Sequence, residues 1–136
     1  MHSTNYYDTF IEVADDCPTE VPEVPLAKGD KPTSATRQFE MIGRNPYRFT
    51  SDEVLFAVYA EKHDLAESEK EEARSDFFSK GQPCLRASPL PKRYGWGVHS
   101  NSEGKIALFA VDSREYEILV KDPSLKHVKA MRSQRT

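Results

Sequence analysis

The sequence predicts an α+β fold: a small antiparallel sheet of three to five strands, with about four helices packed mainly on one of its faces. Three observations lead there. Residues 93–111, RYGWGVHSNSEGKIALFAV, read as a β-hairpin, because two apolar runs flank the polar turn 100–104. Helix starts recur, each a hydroxyl or carboxylate residue followed three positions later by glutamate. The 136 residues suffice for one ordinary core and are too few for two, so residues 1–136 are read as a single domain.

The elements follow in chain order. TFIEVA at 9–14 alternates, with Ile11 and Val13 on one face, and reads as a short strand ended by Asp15-Asp16-Cys17-Pro18. Segment 17–32 holds four of the nine prolines together with Gly29 and Asp30. Each internal proline would remove a helical hydrogen bond and clash with the preceding turn, so this is a long extended loop. A first helix over 33–42 lines up Ala35, Phe39 and Ile42, and stops at Gly43 and Asn45-Pro46. A second follows Thr50, which forms a capping box with Glu53; Val54, Leu55, Val58 and Tyr59 supply its buried side. VLFAVY is also rich in strand formers, and the cap decides for helix. A third helix, 65–79, pairs Asp64 with Glu67 at its start, turns Ala66, Ala73 and Phe77 inward, and ends near Gly81.

Cys84, Leu85 and Ala87 begin a strand that Pro89-Leu90-Pro91 breaks or confines to an edge. In the hairpin, Tyr94, Trp96 and Val98 point one way, and Gly95, Gly97 and His99 the other. The return strand turns Ile106, Leu108 and Ala110 to one face. Asp112 with Glu115 caps a fourth helix whose apolar side is Tyr116, Leu119 and Val120. A last short strand over 127–131 precedes a basic tail, 132–136, that frays.

Composition narrows the class. With 38% hydrophobic and 30% charged residues the chain is a polar globular domain rather than a disordered one. It has no apolar run long enough to span a bilayer, and the opening MHSTNYYD has no secretory pattern. The expectation is a cytoplasmic protein without membrane contact, in which Cys17 and Cys84 stay thiols. Charge is uneven: residues 1–79 carry 8 basic and 17 acidic residues, net −9, and residues 80–136 carry 11 and 5, net +6. This marks either an anion-binding region or one half of the fold lying against the other.

The basic half concentrates the candidate chemistry. Lys80, Arg86, Lys92 and Arg93 occur with no acidic residue before Glu103. Arg93 beside Tyr94 and Trp96 is an anion-plus-stacking pattern, suited to an anionic small molecule or single-stranded nucleic acid. The candidate ligand-binding set is Arg86, Lys92, Arg93, Trp96 and His99. The competing account makes Trp96 a core residue and the cations guards of a strand edge. Gly95 and Gly97 leave a flat strip that admits a packed helix, a neighbouring backbone or a ligand. The four histidines show no metal-ligand spacing, so no metal or cofactor is expected. Cys84, just ahead of the basic residues, is the candidate reactive thiol, and with His99 it would form a nucleophilic pair assembled from distant positions. The expected function is a small binding module for an anionic ligand. The alternatives are a small enzyme or redox-responsive protein using Cys84, or a structural domain that homo-oligomerises through sheet edges.

NYYDTFIEVADDCP at 5–18, FFSKGQPCLRASPL at 77–90, KRYGWGVHSNSEGKIALFAVDSREY at 92–116 and KAMRSQR at 129–135 together resemble a family of small bacterial proteins of unknown function. The likeness extends over almost the whole chain. It implies a stand-alone bacterial domain and carries no activity, cofactor or site residue with it.

Overall fold

The computed structural model of the chain describes residues 1–134. Its four strands are β1 (Thr9–Glu12), β2 (Trp96–Ser100), β3 (Ile106–Ala110) and β4 (Lys126–Lys129), arranged β3-β2-β1-β4. The helices are α1 (Ser34–Arg44), α2 (Ser51–Lys62), α3 (Glu67–Phe78), α4 (Pro89–Arg93) and α5 (Arg114–Lys121), with a 3-10 turn at Leu85–Ala87. The α+β class therefore holds.

The hairpin is the centre of the sheet. Val98 lies opposite Leu108 and Ser100 opposite Ile106. Asn101 closes its turn, its Oδ1 accepting from the amides of Glu103 and Lys105 at 2.9 and 3.0 Å. β1 adds antiparallel to β2, with Ile11 opposite Val98. β4 corrects the expectation of an antiparallel sheet, because it runs parallel to β1, with Ile11 opposite Val128. The reason is α5. A helical crossover carries the chain from one edge of the sheet to the other, so β4 enters in the direction of β3, which is also that of β1.

Side-chain alternation divides the sheet into two unlike faces. Ile11, Val98 and Ile106, each at most 1% exposed, meet Ile42 of α1, Val54 and Val58 of α2, Leu85, and Leu90 of α4. α3 sits behind α2, joined through Phe56, Ala60 and Phe78. On the other face α5 lays Tyr116 across Phe10, edge to face at 5.0 Å. Gly97 is what lets α5 approach. A Cβ there would stand 2.6 Å from the Phe10 ring and 2.7 Å from Tyr116, so the flat strip accommodates a packed helix.

Local chemistry explains where elements begin. Thr50 Oγ1 accepts from the Glu53 amide at 3.2 Å and Glu53 Oε1 from the Thr50 amide at 3.0 Å, the expected capping box of α2. α3 starts two residues later than expected, with Glu69 rather than Glu67 reaching back to the Ala66 amide at 2.8 Å. Asp64 is instead in a left-handed turn, φ +49°. Ser113, not Asp112, caps α5 by accepting from the Tyr116 amide. The strand expected at 84–87 is a 3-10 turn leading into α4. Pro89 and Pro91 fall in the first turn of α4, where a fixed φ suits the helix and a missing N–H leaves nothing unpaired. Gly95, at φ +82°, then turns the chain from α4 into β2.

The proline-rich segment is an extended loop tied to this framework. The Glu23 amide donates to Tyr94 O at 2.8 Å, and Trp96 Nε1 donates to Glu23 O at 2.8 Å. In the basic tail, the amides of Ser133 and Gln134 donate to Asp16 Oδ2 at 2.9 and 3.0 Å; Arg135 and Thr136 lie outside the described residues.

Candidate functional site

α1 begins at a proline, an N-cap threonine and no acid. Thr33 Oγ1 accepts from the Thr36 amide at 3.2 Å, and the amides of Ser34 and Ala35 have no partner among the described residues. A helix start of this kind presents unpaired N–H groups and the positive end of the helix dipole. It opens into a cavity of about 380 Å³, lined also by Ala87, Pro89, Lys92, Arg93 and Tyr94. α4 places Lys92 and Arg93 in its last turn, so both cations face the start of α1 from across the cavity.

A second cavity of about 400 Å³ adjoins the first, the two sharing Ser34, Ala87 and Pro89. Its walls are Leu55, Val58, Tyr59, Lys62 and His63 of α2, Phe77 of α3, and segment 82–89 with Cys84. Tyr59 lies between His63 and Phe77, with ring centroids 4.3 and 4.7 Å away. Together the cavities form a furrow lined by Lys62, Lys92 and Arg93, with no aspartate or glutamate in its walls.

One side chain of the furrow is buried and half used. Gln38, one turn after Ser34 on the same side of α1, is 6% exposed. The Leu90 amide donates to Ser88 Oγ at 3.2 Å, and Ser88 Oγ donates to Gln38 Oε1 at 2.5 Å. That chain orients the amide and leaves Gln38 Nε2 without a hydrogen-bond partner among the described residues, in a residue that lines the cavity. An oriented amide donor open to a cavity is a place for a ligand acceptor.

The candidate residues read from the sequence are distributed as follows. Lys92 and Arg93 are in the furrow, and so is Cys84, half-buried, its Sγ 3.3 Å from Tyr6 Oη. Burial and the neighbouring thiol hold the Tyr6 hydroxyl above its ordinary pKa. Arg86 is turned elsewhere: its Nε donates to Lys129 O at 2.6 Å and its carbonyl accepts from Met131, which fastens the end of β4. Trp96 packs edge to face on Phe39 at 5.2 Å and holds the proline-rich loop. His99 is on the α5 side of the sheet, where Tyr47 Oη and its Nδ1 are 2.8 Å apart. Burial lowers the His99 pKa against the opposing charges of Asp122 and Asp8. Cys84 and His99 are thus on opposite sides of the sheet with separate partners. Among the described residues no group of three or more His, Cys, Asp or Glu is placed to hold a metal ion.

Sequence reasoning missed Ser34, Gln38, Lys62 and His63. Two signals were present: a helix start with no acid in its first turn, and a glutamine on the stripe otherwise occupied by Ala35 and Ile42.

Fold and furrow together define a small α+β protein with a basic, amphipathic cleft at a helix N-terminus; among the described residues, none of its helices is long and apolar enough to cross a membrane. The chain belongs to DUF6157, a family of unknown function, which it matches over residues 1–136. No curated protein and no solved structure matches it.

Proposed function

We propose that this protein is a cytoplasmic binding module for a small anionic ligand, held in the furrow between α1, α2 and segment 82–94. The observation that carries the reading is the meeting of unpaired α1 amides with Lys92 and Arg93 in a cleft without carboxylates. An anion at a helix N-terminus gains about 0.3–1 kcal/mol from the dipole alone, and the flanking cations add to it. Two adjoining open cavities of about 380 and 400 Å³ are of a size for a small molecule. The free thiols of Cys17 and Cys84 suit a reducing compartment.

The test is calorimetric titration with inorganic phosphate and with simple carboxylates at low salt. Binding that weakens as salt rises, and is lost in Lys92→Glu/Arg93→Glu, supports the reading. Equal heats from the parent and the double variant sink it.

A second reading is favoured by the place of Cys84. A half-buried thiol on the wall of a basic cleft suits a redox-responsive role. It requires Cys84 to react with a small disulfide faster than an unfolded-chain thiol does; a slower reaction counts against it. The homo-oligomer reading has less support, since the open β4 edge carries Lys126 and Lys129, a charge pattern that discourages strand pairing.

A further inference from the structure

Resting on the anion-site reading, we infer that the ligand is a nucleotide-like molecule: a phosphate ester whose other end is a planar, hydrogen-bond-accepting heteroaromatic ring. The two cavities of the furrow differ in a way that a simple anion does not explain. The one at the start of α1 is cationic, with Lys92 and Arg93 in its walls beside Ser34 and Ala35, the first residues of the helix. It is built for a phosphate. The adjoining one is walled by the Tyr59 and Phe77 rings of α2 and α3 and by Pro83 and Pro89 opposite. Flat apolar walls of this kind receive an aromatic ring, because aromatic stacking accepts any π-face.

Gln38 lines the ring-walled cavity, one helical turn from Ser34, which both cavities share. Its Oε1 is committed to Ser88, and Nε2 is left as a donor with no acceptor among the described residues. A donor open to the cavity discriminates once a ligand covers it: a ring nitrogen or carbonyl completes it, and a hydrocarbon ring leaves it unpaired. The same residue would therefore select against apolar phosphate esters. One turn of helix separates Gln38 from Ser34, a spacing that a sugar bridges between phosphate and base.

The experiment compares inorganic phosphate, ribose phosphate, the nucleosides and the monophosphates of the four RNA bases by calorimetry. Alkylation of Cys84, followed by peptide mass spectrometry, is the second readout, with Cys17 as internal control. At least one mononucleotide is expected to bind about tenfold or more tighter than ribose phosphate and to slow Cys84 alkylation while leaving Cys17 unchanged. Gln38→Met is expected to bring the mononucleotide to within about twofold of ribose phosphate. Should Gln38→Met fail to fold, Ser88→Ala loosens the orientation of Gln38 while keeping its amide, and a fall in mononucleotide affinity alone is the expected result. Equal affinity for ribose phosphate and every mononucleotide overturns the ring inference and leaves the anion site standing. Absence of binding by phosphate, ribose phosphate and mononucleotides overturns both. Affinity that climbs steadily with the length of a single-stranded oligonucleotide overturns the mononucleotide class in favour of a polymer.

Discussion

α2 has a groove on each side, and the two are chemically opposite. On the side facing segment 82–89 it contributes Leu55, Val58, Tyr59, Lys62 and His63 to the furrow, which contains no carboxylate. On the side facing α3 it contributes Glu53, Phe56, Ala60 and Glu61 to a cavity of about 630 Å³, which Asp64 and, from α3, Lys70 and Arg74 also line. One helix thus separates a groove of mixed charge from one with uncompensated positive charge. The lesson concerns the charge asymmetry of the chain. Much of the acidic first half is spent in solvent or against its own cations. Lys92 and Arg93, of the basic half, meet a helix start that has no acid to oppose them.

The largest effect is expected where α2 itself is anchored, since both grooves depend on its position. The buried Asp52 carboxylate accepts from Ser3 Oγ at 2.8 Å and from the Thr4 amide and hydroxyl, both at 2.7 Å. Asp52→Ala leaves those donors unpaired and is expected to cost about 3 kcal/mol in urea unfolding. A loss below about 1 kcal/mol would show that the N-terminal segment does not fix α2.

Next is a change on the far face of the sheet. Gly97→Ala drives a Cβ into Phe10 and Tyr116, and about 2 kcal/mol of destabilisation is expected. Affinity for phosphate should be unchanged under conditions where the variant is folded. A parallel loss of affinity would mean that the furrow is not independent of the α5 side.

Charge reversal addresses the comparison directly. Lys92→Glu/Arg93→Glu is expected to weaken phosphate binding by about tenfold or more, and Glu61→Lys to change it by less than about twofold. A gain from Glu61→Lys comparable in size to that loss would show that only net charge matters and that the two grooves are not distinct.

The smallest effect is a pH dependence from outside either groove. Burial holds His99 below its ordinary 6.5, so between the folded pKa and 6.5 the unfolded chain binds more protons. Stability contributed by neutral His99 is present above pH 6.5 and falls as the pH drops through the lowered value. His99→Gln should flatten that part of a melting-temperature profile. An unchanged profile would assign the acid sensitivity to other groups.

Much of this fold was legible because its signals are local. The hairpin, the Thr50–Glu53 box and the proline-rich loop each depend on residues within a few positions of one another. The site was less legible. Lys92 and Arg93 stood out as cations, but their apparent companions Arg86, Trp96 and His99 were neighbours in sequence only. Arg86 serves the end of β4, Trp96 the loop, and His99 the opposite face. Alternation along β2 alone separates Trp96 from His99, whereas nothing local announces that Ser34 lies beside Pro89.

The sequence by itself determined the α+β class, the central hairpin and the start of α2, because turn chemistry, capping and side-chain period act over a few residues. The tertiary structure decided the parallel β4, the helical rather than extended course of 85–93, and the furrow. Each of these depends on which distant segments share a surface: the path of α5 across the sheet, the packing of Leu85 and Leu90 into the core, and the approach of α4 to the uncapped amides of α1.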